Sequence, residues 1–173
     1  MRKKLVLAAL LVLAAPAVWL ASIGNGGAQD HALGFGQQIA GGWVVTLDIG
    51  EPVDVLMTLA ADGNVICSGQ LRPAGPDNTG AWMGTRYNTT AHGSWNRVSP
   101  NEIKLLALLQ VQDNDGVLVF YEKVAMQMTL DTAGTRMEGT GLFQLFEAGN
   151  DPLDPDAPVF AEGPFTVTAR PIH

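Results

Sequence analysis

The sequence is poor in charge, in cysteine, in basic residues and in helical periodicity. Charged residues make up 16% of the 173 and hydrophobic residues 47%. That is the reverse of the disorder signature, which pairs low hydrophobicity with high charge. Ten Lys and Arg face seventeen Asp and Glu, so no basic surface for nucleic acid is expected. A single cysteine, Cys67, builds neither an intramolecular disulfide nor a cysteine zinc site. Serine is scarce after residue 28 (Ser68, Ser94, Ser99), and there is no Gly-x-Ser-x-Gly elbow, which excludes the common serine hydrolase pattern. Nothing calls for a cofactor, and none is expected.

The first residues read as an address. Met1-Arg2-Lys3-Lys4 is a basic start, Leu5 to Ala21 is uncharged, and Ser22 to Ala28 is small and polar. That order is a secretory signal, with cleavage expected after Ala28. The alternative is an uncleaved anchor, since about 17 apolar residues is the lower limit for a bilayer-spanning helix. This is the only membrane contact expected, and the protein is expected to be secreted or periplasmic. Residues 29–41 read as a lead-in and 42–173 as one domain. Removing residues 1–28 takes away Arg2, Lys3 and Lys4 and no acid, so the net charge falls from −7 to −10. Such a surface repels nucleic acid and anionic lipid.

From Gly42 onward apolar residues recur at every second position, the period of a half-buried strand. Eight strands follow: Trp43 to Ile49, Val53 to Leu59, Asn64 to Gly69, His92 to Val98, Ile103 to Gln112, Leu118 to Leu130, Arg136 to Leu145 and Phe165 to Arg170. Asp62-Gly63, Asp113-Asn114-Asp115-Gly116 and Asp131-Thr132-Ala133-Gly134 are tight turns. Residues 70–90 read as a long loop, and the best helical candidate is a short stretch from Asp30 to Gly41. Consecutive strands with short links predict an all-β, eight-stranded antiparallel up-and-down barrel. A two-sheet sandwich is the alternative. Inward-facing Gly139 and Gly141 favour the barrel, because such glycines mark sharp bends or leave room inside.

Gly41-Gly42-Trp43, at the head of the first strand, resembles the Gly-x-Trp of the lipocalins and the wider calycin group. Ala91-His92-Gly93-Ser94-Trp95, the Asp62-Gly63 hairpin and the Gly-rich seventh strand resemble uncharacterised secreted bacterial proteins with a lipocalin-like barrel. The resemblance implies that Arg170, at the end of the last strand, packs across Trp43 as a cation–π contact closing the barrel floor. It implies a structure and no particular activity. The lipocalin disulfide pair, a clear second motif and the helix after the last strand are missing.

Candidate site residues follow from strand parity. Met57, Leu105, Leu109, Phe120, Met126 and Phe143 face the axis and suit a hydrophobic ligand; the same side chains alternatively fill the barrel. Glu122 shares the parity of Phe120 and Val124. A carboxylate there is paired, hydrogen-bonded or protonated, which makes it a polar anchor or a general acid. A bulge after Phe120 would instead turn it outward. His92 is either a base or ligand group or a structural histidine at a strand start. Cys67 is either a reactive thiol or a buried core residue.

No metal site is expected. Asp113-Asn114-Asp115-Gly116 begins like a calcium loop, but its closing position is Val124. Asp151, Asp154 and Asp156 are either a weak calcium loop or solvated turns. Arg86 and Tyr87 stand in the long loop at the expected mouth. Leu106 and Leu108 point outward and mark a contact surface, and Asn88-Thr89-Thr90 matches a glycosylation acceptor. Three functions are therefore in play. The first is a binding protein for a small apolar molecule. The second is a cofactor-free isomerase or cyclase that uses Glu122. The third is a filled barrel that acts through an unidentified protein partner.

Overall fold

The computed structural model describes residues 33–50, 52–68, 71–72 and 86–172. The segment read as an export signal lies outside the described residues, as does the middle of the 70–90 stretch. The elements are α1 (Leu33–Ile39), β1 (Gly41–Asp48), β2 (Pro52–Leu59), β3 (Asn64–Cys67), β4 (Leu71–Arg72), β5 (Arg86–Asn88), β6 (Ala91–Ser99), β7 (Glu102–Gln112), β8 (Leu118–Leu130), β9 (Met137–Glu147) and β10 (Ala161–Pro171).

Eight strands close a ring. Each of β1, β2, β3, β6, β7, β8, β9 and β10 pairs antiparallel with its neighbour, and β10 returns to β1. The barrel is thus closed, and the sandwich alternative falls. β4 and β5 form a small extra hairpin, with β5 laid on the end of β7 through Tyr87 opposite Gln112. The 70–90 stretch is therefore not a loop throughout. Two- and three-residue strands are too short to show a period, which is why the pattern missed them.

Turn chemistry matches the expectation. Gly63, Gly116 and Gly134 all have positive φ, at 93°, 77° and 72°, where glycine carries no steric cost. Asp62, Asp113 and Asp131 each accept a hydrogen bond from a backbone N–H two or more residues on. Inward glycines matter for another reason. A Cβ at Gly139 would overlap the Gln127 carbonyl, and one at Gly141 would overlap the Phe165 ring. The strands coil tightly enough there that hydrogen is all that fits.

Helix α1 covers one end. Phe35 and Ile39 are buried against the core. Trp43 Nε1 donates to the Ile39 carbonyl at 2.9 Å, which satisfies an orphan group at the helix end. Trp95 Nε1 donates to the Ala60 carbonyl at 2.9 Å in the same region. At this end Arg97 lies over an aromatic ring, 4.5 Å from the Phe35 centroid. Arg97 also donates to the Ser99 and Pro100 carbonyls.

This corrects the expectation for Arg170. Ala169 is buried and Arg170 exposed, and Arg170 lies opposite Val44, whereas Trp43 faces Pro171. The period-two alternation of β10 sends Arg170 to solvent on the barrel's outer face, so it does not cross the buried Trp43 indole. Trp43 is buried in the core and bonded to the end of α1.

Candidate functional site

The end opposite α1 gathers the end of β1 and start of β2, the end of β3 and start of β6, the Asp113–Gly116 turn and the 148–160 loop. Beneath it the barrel holds a cavity of about 50 Å³. That volume holds roughly three or four waters. Leu47, Val53 and Val55 come from β1 and β2, Cys67, Ser68 and Asn88 from the β3–β5 side, Ala91 from β6, Ala107 and Leu109 from β7, and Glu122, Val124 and Met126 from β8. The wall is mostly aliphatic, with one carboxylate.

Glu122 faces inward. It is 6% exposed and sits opposite Leu109 on β7 and Leu145 on β9. The bulge that would have turned it outward lies elsewhere. Val111 pairs with Phe120 and Gln112 with Leu118, so Val119 is the extra residue and the register from Phe120 to Thr129 runs unbroken. A buried carboxylate in an aliphatic wall interacts far more strongly with a hydrogen-bond donor than one in water does.

Of the other expected lining residues, Leu109 and Met126 reach the cavity. Met57 and Leu105 face inward but are packed in the core, each 1% exposed. Phe143 is half-buried and packs against that core. Phe120 is buried, its ring 5.0 Å from that of Phe160. Sequence reasoning missed Leu47, Val53, Val55, Asn88, Ala91 and Ala107. The signal that points to some of them is position along the strand, since Leu47 lies next to the end of β1 and Val53 next to the start of β2.

Cys67 lines the same cavity, and burial pushes its thiol up to about 11. It is a thiol at neutral pH and a poor nucleophile. Ser68 is committed to structure, its Oγ accepting from Leu56 N–H at 3.2 Å.

His92 lies on the opposite face of the barrel wall from Glu122. It is exposed on the barrel's outer face, opposite Leu108, and lines an external groove. The geometry does not bring the two catalytic candidates together. The side chains of Arg86 and Tyr87 lie outside the described residues. Asp113, Asp151 and Asp154 each accept a backbone N–H within their own turns. Among the described residues no group of three or more His, Cys, Asp or Glu side chains is placed to hold a metal ion. Among them, too, no helix is long and apolar enough to cross a membrane.

Comparison with protein families, with curated proteins and with solved structures finds no match to this chain.

Proposed function

We propose that the protein is an exported, lipocalin-like binding module that takes a small, mainly apolar molecule into the end of the barrel opposite α1. The observation that carries this reading is Glu122, a buried carboxylate in a mostly aliphatic cavity wall. Glu122 is engaged within the protein, and its two oxygens have acceptor capacity for a ligand donor as well. Met126, Leu109 and Leu47 are unbranched at Cβ, so they adapt to a guest more readily than β-branched residues do. The basic, apolar and small-residue order of residues 1–28 supports export.

A second reading has its own support. The cavity of about 50 Å³ is small beside the ~300 Å³ at which drug-sized pockets begin. A barrel so nearly filled also suits a protein that acts through its surface.

Native mass spectrometry of the exported protein, then titration with indole and with indene, separates the two. Indole carries an N–H donor and indene has nearly the same shape without one. Stoichiometric binding of indole, weakened several-fold in Glu122→Gln while indene is unchanged, supports the binding module. Failure of both compounds, with no co-purified molecule, would leave the filled barrel.

A further inference from the structure

The outer face of the barrel carries a second recess, independent of the interior reading. It is an open groove of about 640 Å³. Its floor is the outward face of β6, β7 and β8, where His92 lies opposite Leu108 and Gln110 opposite Tyr121. Its far wall is the β9–β10 loop, led by Asp151.

The wall is held in place. Pro152 is buried and its carbonyl accepts Lys123 Nζ at 2.9 Å. Lys123 lies 4.7 Å from the Phe146 ring centroid, so the ammonium is clasped from two sides. Asp151 Oδ1 accepts Leu153 N–H at 2.9 Å. On the near side Thr89 Oγ1 accepts Gln110 N–H at 3.0 Å, tying the start of β6 to β7. The groove is thus a formed feature of the barrel wall.

Its chemistry narrows the occupant. No Lys or Arg lines it among the described residues, and Asp151 is its one carboxylate. With a net charge of −10 after residue 28, the surrounding field opposes an anion. One carboxylate alone does not hold a divalent cation, which takes six or more oxygens. Docking of a peptide by strand addition needs a free strand edge, and β6, β7 and β8 are each hydrogen-bonded on both sides. What the groove offers is a row of hydrogen-bond donors and acceptors, Asp151 the charged one, beside a flat ring. The Gln110 amide, the His92 imidazole and the Tyr121 phenol both donate and accept, and Asp151 accepts. The Tyr121 ring and Leu108 supply the apolar patch on which C–H groups stack. We infer that this groove binds a stretch of neutral oligosaccharide. Vicinal hydroxyls meet the amide and carboxylate, and a sugar face lies against Tyr121.

The test is isothermal titration, backed by amide chemical-shift mapping, with cellotetraose, chitotetraose and maltotetraose. Glucose and tetragalacturonic acid are the comparisons. The expected result is binding of at least one neutral tetramer, more tightly than glucose, with no binding of the anionic tetramer. Shifts should centre on Gln110 and Tyr121. Tyr121→Ala and, separately, the more exposed Gln110→Ala should each weaken binding about tenfold, the scale of a lost stack or hydrogen bond. Near-ultraviolet circular dichroism checks that each variant is folded, and Gln110→Ala keeps the test alive if Tyr121→Ala is not. Glu122→Gln should leave binding unchanged, so this result stands or falls apart from the interior site. No binding of any neutral tetramer at millimolar concentration would overturn the proposal. So would binding that a folded Gln110→Ala variant does not weaken, or glucose binding as tightly as the tetramers.

Discussion

At the scale of single residues, one atom that is absent and one proton decide much of the behaviour. Gly141 gives the Phe165 ring its place, and an added Cβ would strike that ring and approach the Ala125 carbonyl at 2.7 Å. Gly141→Ala should therefore lower stability by about 1–3 kcal/mol, the usual cost of overpacking. Gly149→Ala, where a Cβ meets nothing within 4 Å, should be near neutral. Adding Phe165→Leu to Gly141→Ala should return part of the loss, and a double-mutant cycle by urea unfolding measures the coupling. Cys67 carries the proton. Its thiol is raised from 9.0 to about 11 by burial, so the folded state holds the proton where the unfolded state releases it. Stability from this group is complete below pH 9 and is lost as the pH rises toward 11. Alkylation of folded protein by iodoacetamide should stay slow at pH 8 and accelerate only near pH 11. A fast reaction at pH 8 would show an accessible thiolate instead.

At the scale of elements, the end capped by α1 makes the sharpest claim. Arg97 stacks on Phe35 and donates to two carbonyls of the β6–β7 turn, so it fastens helix and turn together. Arg97→Ala should cost about 1–3 kcal/mol through the carbonyls it leaves and the stack it loses. It should also speed hydrogen exchange at the end of α1 and at Trp43. Arg170→Ala should change the melting temperature little, because the side chain stands in solvent. An equal loss in both variants would reverse the assignment. The β8–β9 turn gives a pH signature. Asp131 lies below the usual carboxylate range, chiefly because its carboxylate accepts the Thr135 N–H, with Arg136 N–H and the Thr135 hydroxyl adding to it. A depressed pKa stabilises above the unfolded value and is lost as the pH falls through the folded one. Asp131→Ala should therefore be less stable than the parent at neutral pH, with the difference closing in acid. Thermal melts across that range read it directly.

The same elements show what was legible beforehand. Alternation of apolar and polar residues named all eight barrel strands, because the bulges at Val98 and Val119 fall near strand ends. It left both faces open for Glu122, since parity alone does not say on which side of Phe120 a bulge falls. The alternation of β10 already set Arg170 beside Thr166 and Thr168 on the outer face. The family resemblance pulled it to Trp43 against that parity. Depth along the axis was not legible. Met57 and Leu105 face inward as read, yet lie below the cavity. Height in a barrel depends on strand stagger, and stagger is a property of pairing between chain segments rather than of any one of them. The external groove was invisible for the same reason, since His92, Gln110, Tyr121 and Asp151 meet only once β6, β7, β8 and the last loop are placed.

At the scale of the whole molecule, the barrel is unequal from end to end, and that inequality is what a binding function needs. Around α1 the interior is filled by Ile39, Trp43, Leu59, Ile103, Met128 and Met137, each at most 2% exposed. Toward the other end Leu47, Val55 and Leu109 are only half-buried and border open volume. Shortening a side chain should have opposite consequences in the two regions. Leu105→Ala removes atoms from close packing, so it should cost about 2–5 kcal/mol and create no route for a guest. Leu109→Ala removes atoms already beside a void, so it should cost less than Leu105→Ala and enlarge the cavity next to Glu122. If that cavity is a ligand site, the Leu109→Ala variant should bind guests larger than indole, such as naphthol, more tightly than the parent does. The Leu105→Ala variant should not. Urea unfolding and guest titration on the same two proteins read both halves of this prediction. Equal destabilisation with no change in guest size would mean that the upper interior is packed as tightly as the lower, and the surface would then be where the protein works.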